Sequence, residues 1–181
     1  MKLVILDRDG VINHCADNYI SSVDEWQPID GSLPAIGRLC QAGYTITLAI
    51  NQPAIAHGYY DVETLHAVHK KMARLLEAYG GYIEGLFYCS HARKENCRCR
   101  KPKPGLLEDI AARYQCSLTG VPFIGDTIND IKAAHAAGAQ PILVRTGKGE
   151  AALAAAGQQE LKNVPVYKDL AQAVQAILME N

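Results

Sequence analysis

The sequence predicts an α/β fold, a doubly wound, Rossmann-type parallel sheet covered by helices on both faces. Three observations carry that expectation. Short runs rich in β-branched residues and leucine alternate with segments whose apolar residues recur at helical spacing. The first such run is apolar at four successive positions, as expected of a strand buried on both faces. The runs also end in acids or amides: Asp7 and Asp9, then Asn51 and Gln52, then Asp126. Ligands of open α/β sheets bind beyond the carboxyl ends of the strands, so these groups are placed for chemistry.

Taken in order, the first strand starts at Lys2 and runs into Asp7-Arg8-Asp9-Gly10. A polar loop, residues 13–31, carries Tyr19 and Trp26 and closes at the Asp30-Gly31 turn. A helix is expected from Ser32, with Leu33, Ile36, Leu39 and Cys40 at helical spacing and Gly43 as its stop. The next strand, 44–50, reaches Asn51-Gln52-Pro53, where proline cannot continue the ladder. Asp61 is the expected N-cap of a helix that places Leu65, Val68, Met72, Leu75, Leu76 and Tyr79 on one stripe and ends at Gly80-Gly81. His66 and His69 fall in this helix and are expected at its surface or boundary, because no acid or cysteine pairs with them at metal spacing.

A short strand at 85–88 then enters a cysteine-rich loop, and a helix follows over 104–114. The strand 121–125 ends at Asp126, and a helix from Asn129 is closed by Gly138. A strand at 141–145, an alanine-rich helix former at 150–157 and a terminal helix at 168–179 complete the alternation. No linker divides the chain, so residues 1–181 are expected to form one domain.

The bulk properties exclude several classes of function. A hydrophobic content of 49%, a charged content of 20% and a net charge of -1 describe a globular protein with no general pull towards nucleic acid or an anionic membrane. No apolar run approaches the ~20 residues of a membrane span, and no secretory signal precedes the first strand. The expected location is the cytoplasm and the expected state a monomer. Six cysteines in such a chain argue for metal or free thiols rather than disulfides.

Two groups of residues point to chemistry. A parallel sheet brings its strand ends to one edge, so Asp7, Asp9, Asp126 and Asp130 converge there, with Arg100-Lys101 arriving from the cysteine-rich loop. Two acids from one strand and a third from another suit Mg²⁺, which prefers carboxylate and water oxygens. Such an ion and a lysine favour phosphoryl chemistry by spreading negative charge. Taken singly, Asp126 reads equally well as a helix cap, Asp130 as a first-turn acid and Lys101 as a solvated charge. The second group is Cys89, His91, Cys97 and Cys99, a C-x-H then C-x-C pattern. Three thiolates and an imidazole close a tetrahedral site, which reads as structural Zn²⁺ at a loop of about 89–101 too poor in apolar residues to fold alone.

Asp7-Arg-Asp9-Gly, the polar strand end at Asn51, Lys101 and Gly125-Asp126-Thr-Ile-Asn-Asp130 resemble the four motifs of the haloacid dehalogenase superfamily of phosphatases. That resemblance implies Asp7 as nucleophile, Asp9 as general acid/base and Asp126 as completing a Mg²⁺ site with Asp7 and Asp9, with Asp130 in support. The zinc loop and Asn51-Gln-Pro-Ala-Ile-Ala-His-Gly-Tyr narrow the resemblance to the heptose-bisphosphate 7-phosphatases within it. A histidinol-phosphate or other phosphate monoester phosphatase, or a zinc-stabilised sugar-phosphate-binding module, is the alternative. The narrower resemblance implies a Mg²⁺-dependent step in making nucleotide-activated heptose for lipopolysaccharide. It also implies Tyr19, Asn51, Gln52 and Arg100 as substrate contacts, Lys101 on the phosphoryl group, and no separate cap domain. The chain departs from the pattern at Ile50, where the family carries a threonine or serine hydroxyl that donates to the phosphoryl oxygen. Pro53-Ala54 stands for Ser-Gly, His57 for Arg and Thr127 for Lys.

Overall fold

In the computed structural model, which describes residues 1–14, 20, 22–59, 61–157 and 159–179, the expected alternation is present with one strand more. The elements are β1 (Lys2–Leu6), α1 (Ser32–Gln41), β2 (Tyr44–Asn51), α2 (Val62–Glu77), β3 (Gly85–Cys89), α3 (Gly105–Tyr114), β4 (Pro122–Gly125), α4 (Ile128–Ala137), β5 (Gln140–Val144), α5 (Gly149–Ala155), β6 (Val166–Tyr167) and α6 (Leu170–Met179). The sheet is parallel throughout in the order β3-β2-β1-β4-β5-β6. Chain direction across the sheet reverses between β1 and β4, and the crevice at that switch point is where ligands of doubly wound sheets bind.

The period of two along each strand sorts the core into two layers. Val4 and Leu6 of β1 and Ile46, Leu48 and Ile50 of β2 face α1, α2 and α6, meeting Ile36, Leu39, Met72, Leu76 and Val174. Leu3, Ile5, Ala49 and Phe123 face the opposite side, against Leu106, Leu107 and Ile110 of α3 and Ala133 and Ala134 of α4. α2 starts as expected, with Asp61 accepting from the Thr64 N–H at 2.8 Å. The Gly138 cap closes α4 in the left-handed region, at φ 74.

His69 corrects the sequence expectation. It is buried, 6% exposed, whereas His66 is exposed as expected. No described helix is long and apolar enough to cross a membrane.

Candidate active site

The site is built at the carboxyl edge of β1 and β4. β1 runs into Asp7, whose N–H donates to the Ile124 carbonyl at 2.9 Å and so locks the strand end to β4. β4 ends at Gly125, Asp126 follows it, and Asp130 lies in the first turn of α4. A Cβ on Gly125 would lie 2.3 Å from Asp130 Cβ, so only glycine lets the acid of α4 sit against the strand end. Asp7, Asp126 and Asp130 are all buried, and their carboxylate oxygens lie within 4.8 Å of one another. Sequence pattern makes Asp130 a supporting residue; in the structure it is a full member of the cluster.

Lys101 is the cation of this cluster, and it is 2% exposed. Its Nζ lies 3.0 Å from Asp7 Oδ2 and 2.6 Å from Asp130 Oδ1, and donates to the Ala49 carbonyl at 2.7 Å. Burial opposes its charge, but Asp130 and Asp7 outweigh that and hold its pKa above the usual lysine range. Burial also pushes the Asp7 carboxyl up, to about 7, against the pull of Lys101 and with help from Asp130 and Asp9. Asp126 rises to about 8, again chiefly by burial and then through the charges of Asp7 and Asp130. Three close carboxylates share one ammonium, so the oxygen donor set and its excess negative charge fit a divalent cation.

Asp126 is held from behind by the loop after β5, which lies outside the four sequence motifs. The Lys148 N–H donates to Asp126 Oδ2 at 2.8 Å, and the Thr146 hydroxyl donates to the Gly10 carbonyl at 2.7 Å. A Cβ on Gly10 would lie 2.0 Å from that same carboxylate oxygen, and one on Gly147 2.2 Å from it. The turns after β1 and β5 therefore pinch the Asp126 carboxylate between two glycines. This loop was legible in principle, since β5 ends on the same edge of the sheet.

The second acid of the first motif has other partners. Arg8 Nε and Nη2 donate to Asp9 Oδ1 and Oδ2 at 3.0 and 3.1 Å, and Asn13 Nδ2 donates to Oδ1 at 2.9 Å. The Asp9 carboxylate thus turns towards Arg8 and Asn13 and does not belong to the three-acid cluster, where Asp130 stands instead. β1 ends at Leu6, and the Ile12 and Asn13 N–H groups donate to the Arg8 carbonyl at 2.8 and 3.2 Å, so Asp9 lies in a turn and its carboxylate meets different surroundings from that of Asp7.

The remaining candidates divide. Asn51 receives the Lys101 N–H and donates to the Lys101 carbonyl, both at 3.0 Å, so its amide fixes the backbone that carries the lysine. Gln52 is 2% exposed and accepts from Arg8 Nη2 at 3.0 Å. Ile50 is 1% exposed and packs in the core beneath the site with Leu48 and Tyr88. Thr127 caps α4: its hydroxyl donates to Asp130 Oδ2 at 2.6 Å, and its N–H does so at 3.0 Å. Tyr19 lies outside the described residues.

Beside the acids, Cys89, His91, Cys97 and Cys99 converge. Their ligand atoms are separated by 3.5 Å (Cys89 to His91 and to Cys97), 3.3 Å (Cys99 to His91) and 3.4 Å (Cys99 to Cys97). A tetrahedral ion with 2.0–2.3 Å bonds requires edges of roughly 3.3–3.8 Å, so the donor set fits a metal. Arg100 Nη1 donates to the His91 carbonyl at 3.3 Å, so the segment just before Lys101 closes on the same cluster.

The HAD-hydrolase-like family model matches residues 98–173. Over 99% of both chains, the sequence is 47% identical to D-glycero-beta-D-manno-heptose-1,7-bisphosphate 7-phosphatase of Bordetella bronchiseptica. It is 53% identical to the Pseudomonas putida protein of that name, over 84% of this chain and 87% of the relative. The crystal structure of D,D-heptose 1,7-bisphosphate phosphatase from Bordetella bronchiseptica, complexed with magnesium and phosphate, superposes with a TM-score of 0.97 at 46% identity, covering 100% of each chain.

Proposed function

Because this chain belongs to the D-glycero-beta-D-manno-heptose-1,7-bisphosphate 7-phosphatase family, we propose that it removes the 7-phosphate of D-glycero-D-manno-heptose 1,7-bisphosphate through a phosphorylated Asp7. This is a Mg²⁺-dependent hydrolase of the haloacid dehalogenase type, acting in the heptose pathway. The observation that carries the reading is the buried quartet of Asp7, Asp126, Asp130 and Lys101 at the switch point of the sheet.

In this reading Asp7 attacks phosphorus, a bond forms from its carboxylate oxygen, and the bond to the sugar oxygen breaks. Asp9 gives its proton to that leaving oxygen and then takes one from the water that cleaves the acyl phosphate, which regenerates Asp7. Lys101 sits within ion-pair distance of Asp7 and so spreads the charge that develops on the phosphoryl oxygens. Asp7, Asp126 and Asp130 would hold Mg²⁺. When bound, that ion neutralises phosphate oxygens and lowers the cost of bringing an anionic nucleophile to an anionic substrate.

Arg100, next in the chain to Lys101, is assigned as the substrate contact, and Asn51 acts through Lys101. The cysteine-histidine cluster is assigned to structural Zn²⁺, since four protein ligands leave no open position for catalysis. Its thiolates call for a reducing compartment, which supports the cytoplasm. We read the whole chain as one domain and a monomer in solution, which sedimentation equilibrium checks.

The test is Mg²⁺-dependent phosphate release from heptose 1,7-bisphosphate beside histidinol phosphate, with Asp7→Asn as the blank. Release from the bisphosphate that Asp7→Asn abolishes is the expected result. Faster release from histidinol phosphate moves the assignment to that substrate, and no release from either by folded protein overturns it.

A further inference from the structure

Arg8 is 1% exposed, yet it lies in the chain between the two acids of the first motif. Its guanidinium forms a fork on Asp9, with Nε and Nη2 donating to the two carboxylate oxygens at 3.0 and 3.1 Å. The far side of the guanidinium is held by the core. Nη2 donates to Gln52 Oε1 at 3.0 Å, and Nη1 lies 3.2 Å from His69 Nε2. Burial and the Arg8 charge push the His69 pKa down to about 4, so its Nε2 is free to accept from Nη1. The anchors come from the residue just after β2 and from α2, both far in sequence from the β1 loop.

We propose that Arg8 is a positioning residue for proton transfer: locked by Gln52 and His69, it fixes the Asp9 carboxylate at the leaving group and away from the three-acid metal cluster. The Asp9 side chain, 29% exposed, keeps an open side for that proton transfer while its two oxygens are oriented from behind. A bidentate fork sets both distance and plane, which an ammonium on a flexible stem does not. Asn13 Nδ2 adds a third donor at 2.9 Å and leaves the carboxylate no second orientation of equal energy. The inference rests on Asp9 being the general acid.

Leaving groups separate positioning from mere structure. An alkoxide needs a proton as it departs, whereas p-nitrophenolate leaves without one. The experiment compares kcat/KM for heptose 1,7-bisphosphate with that for p-nitrophenyl phosphate, both with Mg²⁺, in wild type, Arg8→Met and Asp9→Asn. The expected result is that Arg8→Met lowers the sugar-to-aryl ratio at least tenfold and changes the aryl rate by less than about threefold. A parallel loss on both substrates, an unchanged ratio or a raised one overturns the proposal. If Arg8→Met does not fold, the same ratio in His69→Leu decides: a fall supports the clamp and no change overturns it. An Asp9→Asn ratio equal to wild type would instead show that Asp9 is not the general acid, and so separates failure of that assignment from failure of the clamp.

Discussion

Replacing Lys101 by methionine keeps the side chain unbranched, one atom shorter, and removes the ammonium shared by Asp7 and Asp130. In wild type its Nζ meets Asp7, Asp130 and the Ala49 carbonyl within 3.0 Å. Removing one partner of a buried ion pair costs about 3–5 kcal/mol, because the remaining charge stays desolvated. For a chain of this size each kcal/mol moves the melting temperature by about 2–4 °C, so a fall of roughly 6–20 °C is expected in metal-free protein. Lys101 is also the strongest influence holding the Asp7 pKa down, so its loss drives that carboxyl above about 7 and keeps it protonated at neutral pH. Together with the lost stabilisation of phosphoryl charge, kcat should fall by at least ~10²-fold. Lys103→Met is the matched control, since Lys103 donates to the exposed Asn96, at 2.7 and 2.6 Å, and its loss should cost under about 1 kcal/mol. Thermal melts followed by circular dichroism and phosphate-release rates give both readouts. A Lys101→Met protein that melts within about 2 °C of wild type and keeps more than a tenth of its rate would refute this account of the quartet.

Three further outcomes follow from the same geometry. Gly147→Ala should weaken Mg²⁺ binding at least tenfold in isothermal titration, because the new Cβ would fall 2.2 Å from Asp126 Oδ2 at a φ of +60; unchanged affinity would show that the pinch is not needed. His69 titrates near 4 in the fold against 6.5 unfolded, so the unfolded chain binds the extra proton and stability falls as pH drops through that window. Urea melts at pH 7.5 and pH 5 should show a loss of about 2 kcal/mol from this residue, absent in His69→Gln. Cys97→Ser should lower the zinc content measured by atomic absorption and open the segment before Lys101 to protease, and a variant with full zinc and unchanged cleavage would count against the four-ligand site.

The strands and helices were legible because burial on both faces and on one stripe leaves periodic marks, and α1, α2, α3 and α4 begin within a residue or two of their expected starts. β6 was not, since two residues leave no period to read. The carboxylates Asp7 and Asp126 were legible from their place at strand ends, but the division of labour between Asp9 and Asp130 was not. That division depends on which cation each oxygen finds in space: Arg8 for Asp9, Lys101 for Asp130. His69 shows the other limit. It falls on the stripe of Leu65, Val68 and Met72, so spacing alone marks it as buried, while its polarity argued for the surface. The partner that reconciles the two, Arg8, lies in a distant turn that no local pattern reveals.

The strand that leads into Asp7 precedes the other five strands in the chain and lies inside the sheet. Its pairing with β2 starts at Lys2 and Tyr44, so one flank closes early; the other waits for Phe123 and Ile124 of β4. While the ribosome adds the residues between, β1 presents an open hydrogen-bonding edge, the kind of edge that recruits other strands. Closing it spans most of the chain, which places the step among the slow, non-local ones. The cysteine-histidine cluster at residues 89–99 also comes before that closure in chain order, so the loop that delivers Lys101 is complete before Asp126 exists to meet it. Release or pausing before residue 126 therefore leaves a half-sheet with an exposed edge and an incomplete acid cluster.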